Sequence, residues 1–330
     1  MHILITGATG FLGSQTTDIL SSYDAVSRIT ATGRTLREDS KCSSPKVSYT
    51  LGELSIKDFV RSLFKDKIDV VINCASKSSP WGSYDSFYQS NVVTQEHLIE
   101  FATKNNVSRF IYIGTPSIYF DYTDRLDIKE DDYIPKPLVN HYATTKLAAE
   151  QLLKDSGLTY ITLRPRALTG AGDTVIMPRL IRSHNEGRLR IMGTGNNVAD
   201  LTPVKNFVDA IWLAINTSTN NCNTDYNISN GNGEKLWPNI QLVLNRIGMK
   251  AIGKKSPYWL LYAVAWIMEN RARLTKGKEP ILTRYSVGIL AKSFTFDITK
   301  AREMLGYIPK QTTQEAIEDF ATWYTENNRK

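Results

Sequence analysis

Tyr142 and Lys146 stand four residues apart in His141-Tyr142-Ala143-Thr144-Thr145-Lys146, a run that continues as helix-forming sequence through Lys154. Four-residue spacing places both side chains on one helical face. A free tyrosine titrates near ~10, and an adjacent ammonium favours its phenolate. Such a pair can exchange a proton with an alcohol or carbonyl while hydride moves to or from a nicotinamide, and the lysine can also hold the nicotinamide ribose. Thr115 leaves the apolar run Arg109–Ile113, so its hydroxyl can hold the substrate oxygen and turn a lone pair toward Tyr142. Tyr-x-x-x-Lys also arises by chance, as a surface aromatic packed on a lysine stem. Its weight here comes from a second motif at the start of the chain.

That motif is the β-branched run His2–Thr6 followed by Gly7, Gly10 and Gly13. The run has the composition of a buried parallel strand, and Ser14 onward can continue as helix. Gly7 can take a positive φ, Gly10 has no Cβ to block a pyrophosphate, and Gly13 lets the helix pack close on the strand. The free amides at the helix start then face a phosphate. The next strand, read over Val26–Thr32, ends in Gly33-Arg34, with Arg37 close behind. NAD-binding sites place a carboxylate at that strand end for the ribose hydroxyls, whereas a guanidinium can hold a 2′-phosphate. NADP is therefore the expected cofactor, ahead of NAD.

The elements that must position these residues alternate. Strands are expected at Val47–Leu51, Ile68–Ala75, Arg109–Ile113 and Tyr160–Leu163, with helices at Ile56–Phe64, Asn91–Asn105 and 142–154. This alternation predicts an α/β fold with a doubly wound parallel sheet. Residues 121–132 read as an acid-rich loop. Helices are expected at Pro178–Gly187 and Phe207–Ile215, and Asp225–Ile228 as a strand returning to the sheet. The expected division is a dinucleotide-binding domain over 1–168, to which 200–230 return, and a smaller substrate-binding subdomain over most of 169–330.

The 330-residue chain is 42% hydrophobic and 22% charged, ordinary for a soluble enzyme. Cys42, Cys74 and Cys222 lack metal-ligand spacing and are odd in number, so neither zinc nor a disulfide framework is expected. Met1 leads straight into a strand, which leaves no room for a signal peptide and fits the cytoplasm. The net charge of +7 is scattered, no nucleic-acid module is present, and no nucleic-acid partner is expected.

The chain resembles an extended short-chain dehydrogenase/reductase. Thr6-Gly7-Ala8-Thr9-Gly10-Phe11-Leu12-Gly13 matches that family's cofactor loop, and Asn91-Val92-Val93-Thr94 resembles its helix motif. Thr115, Tyr142 and Lys146 resemble its catalytic set, and Leu163-Arg164-Pro165 with Gly170-Ala171-Gly172-Asp173 the segment that closes over the nicotinamide. Ser79-Pro80-Trp81-Gly82, Asp200–Asn206, Glu279–Tyr285 and Phe296-Asp297-Ile298 are similar to the 3-beta-hydroxysteroid dehydrogenase branch, which includes reductases of long-chain beta-keto compounds. The resemblance implies a Rossmann-type fold and a homodimer joined through helices 91–105 and 142–154. It implies cofactor contacts from Gly7, Thr9, Gly10, Phe11, Leu12, Gly13, Arg34, Glu53, Leu54, Ala75, Asn91, Tyr142, Lys146 and Pro165. It implies an NAD(P)-dependent interconversion of secondary alcohol and ketone on a sterol-like or long-chain beta-keto substrate. A nucleotide-sugar epimerase or dehydratase shares the same core and is the alternative. Three positions depart from the pattern: Asn73 for a common His, Gly114 for Ser, and Glu53 for Asp.

Tyr258–Met268 is eleven apolar residues between Lys254, Lys255 and a basic group of Arg271, Arg273, Lys276 and Lys278. A bilayer span needs about 20 residues, so this run is too short to cross one. It reads as a buried helix of the substrate domain, or as a lid that borders an apolar substrate and touches an anionic membrane peripherally. Trp81, Ser117 and Trp259 are the expected substrate contacts, all on one pocket.

Overall fold

A computed structural model describes residues 1–275 and 279–328. Its centre is a sheet of seven strands, β1 (His2–Thr6), β2 (Arg28–Gly33), β3 (Val47–Leu51), β4 (Val70–Asn73), β5 (Arg109–Ile113), β6 (Tyr160–Pro165) and β7 (Thr224–Ile228). They lie in the order β7-β6-β5-β4-β1-β2-β3, and every adjacent pair is parallel. Strand order reverses between β1 and β4, where Thr6 sits beside Asn73, and a crevice opens at the carboxyl ends of these strands.

Two-residue periodicity divides the core into two layers. Ile3, Ile5, Val70, Ile72, Ile111 and Ile113 pack on one face with Phe207 and Ile211 of helix 204–216. Leu4, Val71, Phe110 and Tyr112 pack on the other with Leu98, Phe101 and Leu153. Both faces are covered, which is why these strands are continuously apolar. Glycine serves close packing at Gly13, where an added Cβ would lie 2.1 Å from the Gly7 carbonyl oxygen.

The helices flanking the site are α1 (Phe11–Ser21), α2 (Lys57–Leu63), α3 (Thr94–Lys104) and α4 (His141–Lys154). The helix expected from Asn91 starts earlier, with a turn at Tyr84–Phe87 capped by Ser83 and a π-helical turn at Tyr88–Val93 that runs into α3. The N-terminus of α4 is fixed by Asn140, whose side-chain oxygen accepts from the Ala143 amide at 2.8 Å. A cap of this kind is worth about 1 kcal/mol.

A second, smaller sheet joins residues 234–235, 198–199, 294–296 and 125–128. It corrects the reading of 121–132 as loop throughout: Arg125–Ile128 is a strand paired in parallel with Phe294–Phe296. Beneath this sheet Leu201, Leu236, Trp237, Ile240 and Leu244 form a separate apolar core. Among the described residues no helix is long and apolar enough to cross a membrane.

Candidate active site

The carboxyl edge of β1 turns at Gly7, whose φ is +65°, and the Gly10 amide closes the loop on the Gly7 carbonyl at 3.0 Å. Helix α1 starts at Phe11 with no side-chain cap on its N-terminus. Its first amides therefore lack partners within the helix. Gly10 is exposed, and its open face meets no atom nearer than the Gly7 oxygen. An uncapped helix end above an open glycine is a cradle that fits a dinucleotide phosphate.

Tyr142 and Lys146 project from α4 into the crevice, and both line a cavity of about 470 Å³. Thr115 and Ser117, on the exit of β5, line it too. A row of hydroxyls runs from the site: Thr115 donates to Ser117 at 3.2 Å, and Ser117 meets the Tyr285 hydroxyl at 2.7 Å, with Tyr142 on the same cavity wall. Burial pushes Tyr142 up to about 12, while the nearby Thr115 and Ser76 hydroxyls pull the other way. Burial pulls Lys146 down to about 7, opposed by Glu150 and Cys74. The Lys146 ammonium donates to the Ile113 carbonyl at 2.5 Å and lies 4.0 Å from the centre of the Tyr112 ring. The expectation that the Lys146 ammonium favours the Tyr142 phenolate is corrected here. Burial dominates both groups, and the tyrosine keeps its proton at neutral pH.

Behind Lys146, Glu150 continues the same helical face and is fully buried. It pairs with buried Arg164 at 2.6 Å, and Arg164 also reaches Asp225 at 2.7 Å. Gly114 makes room for that pair: an added Cβ would lie 2.6 Å from the Glu150 carboxylate and 2.8 Å from Arg164 Cγ. Asn73 has a packing role as well. Its side-chain oxygen accepts from Thr6 at 2.6 Å, and its amide donates to Gln95 at 2.6 Å.

Gly7, Gly10, Phe11, Leu12, Gly13 and Pro165 share the cavity wall with Thr115, Ser117, Tyr142 and Lys146. Other expected contacts stand apart from it. Arg34 is exposed at the end of β2, beside Gly33, whose missing Cβ leaves room for the Thr9 hydroxyl. Glu53 and Leu54 follow β3; Glu53 is exposed, and Leu54 is buried with its carbonyl on His97. The Ala75 amide donates to Asn73 at 3.1 Å. Asn91 is buried, with its oxygen on the Lys77 amide and its own amide on Thr145, so it braces the β4 exit against α4.

Two substrate expectations change. Trp81 lines a neighbouring cavity with Glu269, Arg273 and Arg284, and this cavity shares Pro80 and Tyr285 with the first. Trp259 lines neither, and it is 70% exposed. The apolar run belongs to a helix, Tyr258–Leu274, whose buried residues are Leu261, Ala265 and Glu269. The run is therefore neither a core helix throughout nor a cavity wall, because only the face carrying those three residues meets the protein. Lys276 and Lys278 lie outside the described residues.

The far wall of the main cavity went unread in the sequence. It is mainly apolar, with Met177, Leu180, Leu201, Leu236, Ile240 and Leu290, beside the polar Arg179 and Asn239. Arg166 also lines it, 6% exposed, and its Nε has no hydrogen-bond partner. Burial lowers the pKa of Arg166, against the opposing influence of Tyr285 and Asp200. The Leu163-Arg164-Pro165 motif adjoins Arg166, and Tyr285 ends a segment singled out for its resemblance, so both had a local signal.

The model of the NAD dependent epimerase/dehydratase family matches residues 3–229. The uncharacterized protein YbjS of Escherichia coli (strain K12) is 34% identical over 341 residues, covering 100% of this chain and 99% of that one. The 2-alkyl-3-oxoalkanoate reductase of Stenotrophomonas maltophilia (strain K279a) is 28% identical, covering 96% and 97%. The 3beta-hydroxysteroid-dehydrogenase/decarboxylase isoform 2 of Arabidopsis thaliana is 27% identical, covering 95% of this chain and 60% of that one. Among solved structures, WbmH of Bordetella bronchiseptica in complex with NAD+ superposes with a TM-score of 0.78 over 98% of both chains at 19% identity, a likeness of fold.

Proposed function

The chain belongs to the NAD-dependent epimerase/dehydratase family of extended short-chain dehydrogenase/reductases, and we propose that it is an NADP-dependent reductase of a beta-keto compound with a long apolar body. One observation carries this reading: the Tyr142–Thr115 hydroxyl pair opens into a cavity whose far wall is mainly apolar. Such a wall stabilises a bound substrate by roughly 25 cal/mol for each Å² of apolar surface withdrawn from water. A nucleotide sugar would instead need several fixed donors for its diphosphate.

A nicotinamide cofactor held by the glycine cradle would supply the hydride for the carbonyl carbon. The protein supplies the proton and the orientation. Thr115 donates a hydrogen bond to the ketone oxygen, and Tyr142, protonated at neutral pH, transfers its proton to that oxygen as the alcohol forms. Ser117 and Tyr285 extend the row of hydroxyls beyond Thr115. Lys146 would hold the nicotinamide ribose.

Arg166 narrows the substrate. A buried guanidinium with an unpartnered Nε calls for an anion, and a carboxylate beside the ketone provides one. The similar reductase is named for such a substrate, a 2-alkyl-3-oxoalkanoate. Cofactor choice follows from β2: Gly33 offers no carboxylate for the ribose, and Arg34 stands exposed beside it.

The test follows NADPH and NADH oxidation against long-chain beta-keto acids, their methyl esters, simple ketones and UDP-sugars. NADPH-dependent turnover of the acids, with KM falling as the chain lengthens, is the expected result. A flat KM together with UDP-sugar turnover would make this an epimerase. Equal KM for acid and ester would remove Arg166 from substrate recognition.

A further inference from the structure

We propose that the outer face of helix 258–274 docks on the surface of an anionic phospholipid bilayer. The inference goes beyond the ketone reading and stands without it. The helix meets the protein through Leu261, Ala265 and Glu269, spaced four apart along one face. On the opposite face Trp259, Leu260, Val264, Trp266 and Ile267 are exposed, Trp259 at 70%, Trp266 at 53% and Ile267 at 59%. Single exposed apolar residues are ordinary, but a continuous face with two tryptophans marks a surface meant to be covered.

The flanking charges identify what covers it. Lys254 and Lys255 precede the helix and Arg271 falls in its last turns, all three exposed, while Arg273 turns to Glu269 and the Trp81 ring. Apolar residues and tryptophans on one face with basic residues at both ends suit the boundary between anionic headgroups and acyl chains. A second copy of the chain fits less well. It also carries a net charge of +7, and two-fold pairing of this face would set basic flanks against basic flanks. The helix has 17 residues and ends in charges, so it lies on the bilayer and does not cross it. The cavity lined by Trp81, Glu269 and Arg273 borders the same helix, which would let an apolar ketone reach the site from the bilayer. That last step rests on the ketone reading, whereas the docking does not.

The test uses the full chain without substrate and vesicles of phosphatidylcholine alone or with about one-third phosphatidylglycerol. The wild type should co-float with the phosphatidylglycerol vesicles, with a blue shift in tryptophan emission, and high salt should weaken the association. Trp266→Ser with Ile267→Ser, and separately Lys254→Glu with Lys255→Glu, should each lower partitioning at least ~10-fold. NADPH binding reports that both variants remain folded. Light scattering run alongside identifies the competing occupant. No association with either vesicle, or variant partitioning equal to wild type, would overturn the proposal. A wild-type dimer that falls to monomer in the Trp266/Ile267 variant, without vesicle binding, would assign the face to a second copy.

Discussion

Lys146→Met isolates the energetic consequence of burying the lysine. Its folded pKa is about 7, against an ordinary value of 10.5. In that interval the unfolded chain binds the proton and the folded chain does not, so stability rises with pH. At about pH 6 both states are protonated, and burying the charge costs about 5 kcal/mol; at about pH 9 the cost has fallen to about 2. Wild type should therefore gain about 2–3 kcal/mol from this group between those pH values, and Lys146→Met should not. The variant also leaves the Ile113 carbonyl without the lysine donor. That loss does not depend on pH, so the difference in slope isolates the charge. In the folded chain Tyr142 and Cys74 are both held at about 12, and their titration in the unfolded chain is common to both proteins. The assay is urea unfolding of both proteins without cofactor at several pH values. Parallel stability curves for variant and wild type would refute the reasoning and mean that Lys146 keeps its charge when buried.

Three further outcomes follow from the site. Tyr142→Phe removes the proton donor and keeps the ring, so steady-state turnover should fall at least ~10²-fold while dinucleotide affinity, read by titration, stays near wild type. Arg34→Ala should weaken NADP by about 1–3 kcal/mol and leave NAD nearly unchanged; equal NADP affinity in both proteins would end the case for a phosphate contact. Gly114→Ser should lower unfolding stability by about 1–3 kcal/mol, because the new side chain presses on the Glu150–Arg164 pair, and an unshifted midpoint would mean that the pair can move aside.

The parts of the fold read well from sequence are those with a local cause. Strands Val47–Leu51 and Arg109–Ile113 have the expected bounds, since each is a short run rich in β-branched and aromatic residues closed by a glycine. The strand over Arg125–Ile128 has no such cause. Its partner, Phe294–Phe296, lies far along the chain, and half of its own residues are charged. The same reason hid the cavity wall, because Leu201, Leu236 and Leu290 come from three separate segments. Tyr142 and Lys146 were legible because both lie on one helix. That burial rather than mutual attraction sets their titration was not, since burial is a property of the packed molecule. Helix 258–274 is apolar on both faces, so composition alone could not say which face the protein covers.

The departures from the family's pattern at Asn73 and Gly114 have one physical account. Each lies at the carboxyl edge of the sheet, where strands must approach the helices that carry the site. Asn73 spans from Thr6 on β1 to Gln95 on α3, and so ties both sides of the strand-order reversal to the helix layer. Gly114 has no side chain to bond, and its absence admits the Glu150 carboxylate against Arg164. That carboxylate also opposes the loss of charge on Lys146, one helical turn earlier. The glycine thus acts on the site at one remove: it admits the buried acid, and the acid keeps the lysine from losing still more of its proton affinity. A serine at 114 could add a hydroxyl to the site only by displacing that acid. The chain keeps the buried pair and leaves the hydroxyls to Thr115 and Ser117.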